Sequence, residues 1–192
     1  MDLLLGIFSA FGLSASAGLN AYIPLLVVAL VARFTDLIQL NSPWDTLSNG
    51  WVIGLLIVLS IIEFFVDKAP AVNHINDAIQ TVVRPAAGAI AFASSANVIT
   101  EINPILAMAC GLLIAGGVHA VKAAAVRPAV TATTGGVGNV PVSILEDLIS
   151  TLLSILAVVI PVLIAAVVIL VTAWVIWVFW RRANRERLRG AS

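Results

Sequence analysis

Apolar residues run in long uninterrupted blocks along this chain, at 3–32, 51–62, 85–100, 105–118 and 148–180, and the polar residues gather between them. Each block supplies much or all of the roughly 20 apolar residues that cross a bilayer as a helix. The pattern predicts an all-α, polytopic transmembrane protein of about five spans. As one helix the first block would be about 45 Å long, against a hydrocarbon core of roughly 30 Å, so it must tilt or break. The candidate break is Ser14 to Asn20, followed by Pro24, whose ring clashes with the carbonyl of Asn20 in a regular helix. Along an unbroken helix Ser9, Gly12, Ser16 and Asn20 share one small, polar face, a pattern that suits close helix packing.

Between the blocks the reading is of loops and helix ends. Residues 33–50 form a loop with Trp44 and Trp51 at interfacial positions. Glu63, Asp67 and Lys68 close the second block, near enough in sequence to pair, and Pro70 stops it. Residues 71–83 carry apolar positions at helical spacing and predict a short amphipathic helix that lies in the interface or lines a vestibule, with Asp77 bridged to Arg84 through Gln80. Arg84-Pro85 opens the third span, Ile105 to Val126 is the fourth, and Arg127-Pro128 ends it. The glycines and β-branched residues of 130–141 argue against a regular helix, and a re-entrant Thr131 to Val140 segment, or a broken first block, would change the number of crossings. Ser143-x-x-Glu146 matches a capping box and would start the last helix, which to Trp180 would be about 57 Å long and need tilt or a kink at Pro161. Trp174, Trp177 and Trp180 then make an aromatic belt. Val83-Arg84-Pro85-Ala86 is echoed by Val126-Arg127-Pro128-Ala129, the kind of match an internal repeat leaves.

Composition agrees with a membrane protein. The 192 residues are 61% hydrophobic and 10% charged, where a soluble domain carries about a quarter charged residues. Five arginines at 181, 182, 185, 187 and 189 follow the last block. The positive-inside bias places this tail, 181–192, in the cytoplasm and leaves 1–180 as one domain of a cell (inner) membrane protein. Five crossings put the N-terminus outside, and also put Lys68, Lys122 and Arg127 on the outer side, against the same bias. Ala15-Ser16-Ala17 mimics a signal cleavage site, but no basic residue precedes it, so the first block reads as an uncleaved helix. Cys110, inside an apolar run, is a packing residue and excludes an intrachain disulfide.

The candidate chemistry lies mainly between Gly116 and Asp147. His119, Lys122 and Arg127 bring positive charge and donors, and Thr131, Thr133, Thr134, Gly135 and Gly136 bring hydroxyls and accessible amides, an inventory suited to an anion. Asn20 would line the opposite wall, and Arg84 adds a further cation. Glu63, Asp67 and Asp77 are candidates for carrying protons or pairing with the cations. Alternatively Lys122 and Arg127 snorkel to headgroups or pair with Asp67, Asp77 or Glu101. No lipid-phosphatase, HExxH or P-loop spacing is present, and no Ser-His-Asp set is identifiable, so no enzyme, metal, cofactor or nucleic-acid partner is expected. Two functions remain. One is a transporter or channel-like protein that binds a small anionic solute or a lipid headgroup. The other is a non-transporting scaffold whose small-residue faces pack helices or the protomers of a homo-oligomer.

The segments 13–25, 67–74 with 84–88, and 131–139 with Glu146-Asp147 resemble a family of small bacterial integral membrane proteins known only as a domain of unknown function. The resemblance covers nearly the whole chain. It implies the membrane architecture and that the three polar blocks belong together around one cavity, and it brings no catalytic residues.

Overall fold

The computed structural model describes residues 2–68, 73–96 and 103–159, with 167, 170–177 and 180–181 beyond them. The described chain is all-α. Its helices are α1 (Asp2–Leu19), α2 (Tyr22–Phe34), α3 (Gly50–Val66), α4 (Asn73–Ala96), α5 (Pro104–Val121), α6 (Arg127–Thr134) and α7 (Asn139–Val159). A 3₁₀ turn, Trp44–Ser48, precedes α3, and a π-turn, Lys122–Val126, joins α5 to α6. The continuous helix Pro104–Thr134 and α7 are long and apolar enough to cross a membrane. The central helix is α1, which packs against α4, α5, α7 and α2, while α3 lies against α2.

The chain is inside out relative to a soluble protein. Trp51 is 90% exposed, and Leu55, Ile61, Ile105, Leu113, Leu152 and Val159 also face outward. The interior holds alanines, serines and charged side chains, among them Arg84 at 0% exposure. Lipid tails would solvate such a surface, and the polar groups then find partners only within the protein.

The break in the first apolar block lies at Asn20–Ala21, at the end of the segment expected to hold it. Asn20 Oδ1 accepts from the amides of Tyr22 and Ile23 and so caps α2. Pro24 falls in the first turn of α2, where a missing amide costs no intrahelical bond. The small face of α1 is buried at Gly12, Ser16 and Asn20. Ser16 Oγ lies 2.7 Å from both Ser150 Oγ and Ser154 Oγ, tying α1 to α7. Ser14 Oγ donates to the Gly111 carbonyl at 2.7 Å, and the backbones of α4 and α5 meet at Gly88 and Gly111. A Cβ on Gly111 would stand 2.3 Å from the Gly88 carbonyl oxygen. Gly111→Ala is therefore expected to destabilise the protein by about 1–3 kcal/mol. Gly117→Ala, which meets open space, should leave the unfolding midpoint in detergent unchanged or higher. Equal midpoints for the two variants would contradict the close approach.

Several expectations are corrected. Residues 73–96 form one helix with Pro85 inside it, so the amphipathic segment runs on without a break into the apolar segment after Arg84. Arg127-Pro128 does not end the fourth segment. The π-turn widens the helix, the Arg127 amide bonding to the Lys122 carbonyl, and this makes room for the Pro128 ring in the first turn of α6. Thr131 to Thr134 continue a regular helix, against the expectation for 130–141, and Thr133 and Thr134 turn their hydroxyls back onto the carbonyls of Ala129 and Val130. The chain reverses instead at Gly135 and Gly136, with φ of 63° and 91°. The helix expected to start at Ser143 begins at Asn139, as α7, so Ser143 is an interior, buried residue and not a cap. Cys110 packs against a small cluster of Ala10, Phe92, Ala93 and Ala107. Pro70, Glu101 and Pro161 lie outside the described residues.

Candidate functional site

At the α1–α2 break a helix end and a helix start face each other, and their main-chain groups need partners inside the protein. Side chains supply them. Glu63, from the last turns of α3, accepts from the Ala21 amide at 3.2 and 3.3 Å through its two oxygens. Lys122 Nζ, from the π-turn, donates to the Leu19 carbonyl at 3.2 Å. Asn20 Nδ2 donates to Asp147 of α7 at 3.0 Å. The break is thus held by side chains from α3, the π-turn and α7, all members of one charged cluster.

Arg84 forms one half of that cluster. Its Nη2 lies 3.0 Å from Glu63 Oε1 and 3.2 Å from Asp67 Oδ2, and its Nη1 is 3.3 Å from His119 Nδ1. Asn76 donates to Asp67, and Thr81 Oγ1 lies 3.3 Å from His119 Nε2. The other half is built on Glu146, whose Oε2 is 2.9 Å from both Lys122 Nζ and Arg127 Nη2. Asp67 Oδ2 links the halves, 3.7 Å from each of these cations. Lys68 closes the edge with a 2.8 Å bond to Asp147 while its ammonium sits over the Phe64 ring. The cations Lys68, Arg84, Lys122 and Arg127 match the carboxylates Glu63, Asp67, Glu146 and Asp147 in number, so the cluster is neutral when all eight are ionised. Matching of this kind is what makes buried charge tolerable.

Arg127 is incompletely used. Its Nη2 holds Glu146, but Nε and Nη1 are buried without a hydrogen-bond partner among the described residues, as is Ser143 Oγ one turn along α7 from Glu146. Unpaired buried donors are costly, and a guanidinium with two of them is a ready receptor for an acceptor oxygen.

Of the residues singled out from sequence, Asn20, Glu63, Asp67, Arg84, His119, Lys122 and Arg127 come together here. Thr131, Thr133, Thr134, Gly135 and Gly136 sit apart, at the tip of the α6–α7 hairpin, with both Thr133 and Thr134 exposed. Asp77 is only half-buried and does not pair with Arg84, which is taken by Glu63 and Asp67, and Lys68 forms its ion pair with Asp147 and not with Glu63 or Asp67. Glu146 and Asp147 also belong to the site; the resemblance groups them with the polar blocks, while the residue pattern alone marks Glu146 only as part of a capping box. The signal that finds them is the run Ser143, Glu146, Asp147, Ser150 and Ser154, a polar stripe at three-and-four spacing within an apolar helix.

Fold and cluster together define an all-α protein with membrane-length helices around a neutral, ion-paired interior. The chain belongs to the family described as domain of unknown function DUF4126, whose model matches residues 7–181. Comparison with curated proteins and with solved structures gave no match.

Proposed function

We propose that this chain is a small membrane transporter or channel-like protein in which Lys122 and Arg127 bind a small anion or the phosphate of a lipid headgroup. The observation that carries the reading is the state of Arg127: a buried guanidinium with one edge on Glu146 and two donors unused. Glu146 occupies the place of an anion, one oxygen 2.9 Å from both cations. An incoming anion replaces it charge for charge, so the interior stays neutral during binding. His119, against Arg84, and the carboxylates Glu63 and Asp67 are the groups placed to take up a proton in exchange. In this reading the chain crosses the cell membrane about five times, with residues 181–192 in the cytoplasm among anionic lipid headgroups.

The test is flux in proteoliposomes loaded with a panel of chloride, phosphate, acetate and sulfate. At least one is expected to move faster than in empty vesicles, and Arg127→Gln should lower that rate roughly tenfold or more, as for loss of charge-assisted hydrogen bonds. Thr133→Ala, at the hairpin tip, should leave it unchanged. A scaffold reading is favoured by the backbone contact of Gly88 with Gly111 and the serine bonds between α1 and α7. It prevails if no member of the panel moves.

A further inference from the structure

A cleft of about 260 Å³ opens beside the cluster, lined by Tyr22, Leu59, Ile62, Glu63, Val66, Asn76, Ile79 and Gln80. It lies where α3 and α4 are held together by the Glu63–Arg84 and Asn76–Asp67 bonds while α3 otherwise packs on α2. The composition of its walls is graded. Ile62 and Ile79 are about half exposed on the outer face, and Glu63, Asn76 and Gln80 are buried at the inner end. Gln80 is 3% exposed, and its Oε1 has no hydrogen-bond partner among the described residues. A buried amide oxygen without a donor is destabilising, and the terminal torsion of glutamine turns easily, so a donor arriving in the cleft is met without backbone movement.

We infer that this cleft binds a neutral, single-chain amphiphile whose hydroxyl donates to Gln80 while its hydrocarbon chain lies between Ile62 and Ile79. Charge decides the head group. Glu63 is already held by Arg84 and by the Ala21 amide, and the cluster behind it is neutral, so an ammonium or a carboxylate would enter as an unmatched charge. A hydroxyl brings a donor and no charge. The outer walls are apolar and continuous with the outward-facing side of α3, so the ligand arrives sideways from the lipid phase. The site is separate from Arg127 and stands whether or not the protein carries anions.

The experiment uses the full chain in nanodiscs and a diazirine-bearing decan-1-ol as photolabel, with labelled residues mapped by mass spectrometry. The label is expected on Leu59, Ile62 or Ile79. Excess decan-1-ol should compete it away, whereas decylamine and decanoate at the same concentration should not. Gln80→Leu should raise the concentration for half-maximal labelling roughly tenfold, as for loss of one buried hydrogen bond. Ile79→Trp, a change at an exposed position that leaves the interior alone, should block labelling. The inference is overturned if labelling spreads evenly to outward-facing residues such as Leu113 and Leu152. It is overturned equally if the three competitors act alike, or if Ile79→Trp labels as well as the unmodified chain.

Discussion

Arg84→Met is expected to be the most damaging single substitution in this protein. Arg84 is fully buried and pairs with both Glu63 and Asp67, so its loss leaves two carboxylates in the interior with one principal cation removed. Breaking a buried pair in this way costs about 3–5 kcal/mol, most of it from the stranded charge and not from the lost attraction. That origin gives the prediction its sharper form. Adding Glu63→Gln alone to Arg84→Met should restore much of the stability, because three cations then face three carboxylates and Asp67 keeps its contacts with Lys122 and Arg127. Thermal unfolding in detergent, followed by helical circular dichroism, measures both. If the double variant unfolds no later than Arg84→Met alone, the cost lies in packing and the electrostatic account is wrong.

Glu146→Gln should have the largest effect on ligand binding. It removes the carboxylate shared by Lys122 and Arg127 and leaves those cations with Asp67 alone, at 3.7 Å. In the absence of added anion the variant should unfold earlier than the unmodified protein. With phosphate or acetate it should recover, since a ligand at a hundred times its dissociation constant stabilises by about 2.7 kcal/mol. The unmodified chain, with Glu146 in place, should respond to the same anions at roughly tenfold higher concentration or not at all. Adding Arg127→Gln should abolish the response. An anion dependence identical in Glu146→Gln and the unmodified chain would refute displacement.

How much of this arrangement can be read from the sequence depends on whether each residue follows the ordinary periodicities. Asn20 with Pro24 marks the helix break because a capping side chain and a missing amide act locally, whatever surrounds them. The long apolar blocks mark the helices for the same reason. The partnership of Lys122 and Arg127 is different. Five residues apart on a regular α-helix they would point about 140° away from each other. Only the π-turn, in which residues five apart close one turn, brings both onto Glu146. Pro85 and Pro128 look like helix boundaries in sequence, yet tertiary packing and the π-turn carry the helices through them. Ser143 and Glu146 satisfy a capping pattern that the structure does not use, since the chain has already entered α7 at Asn139. The threonines of α6 show the limit of propensity, their hydroxyls bonding within the helix instead of around a ligand.

Lys122 has one ammonium and three kinds of claimant: the carbonyl of Leu19 at the end of α1, the carboxylate of Glu146, and the more distant Asp67. The joint between α1 and α2 is consequently more than a gap in a helix. Its main-chain oxygen shares one three-hydrogen ammonium with two side-chain carboxylates, so any change in how those carboxylates are occupied moves the group that also holds the joint.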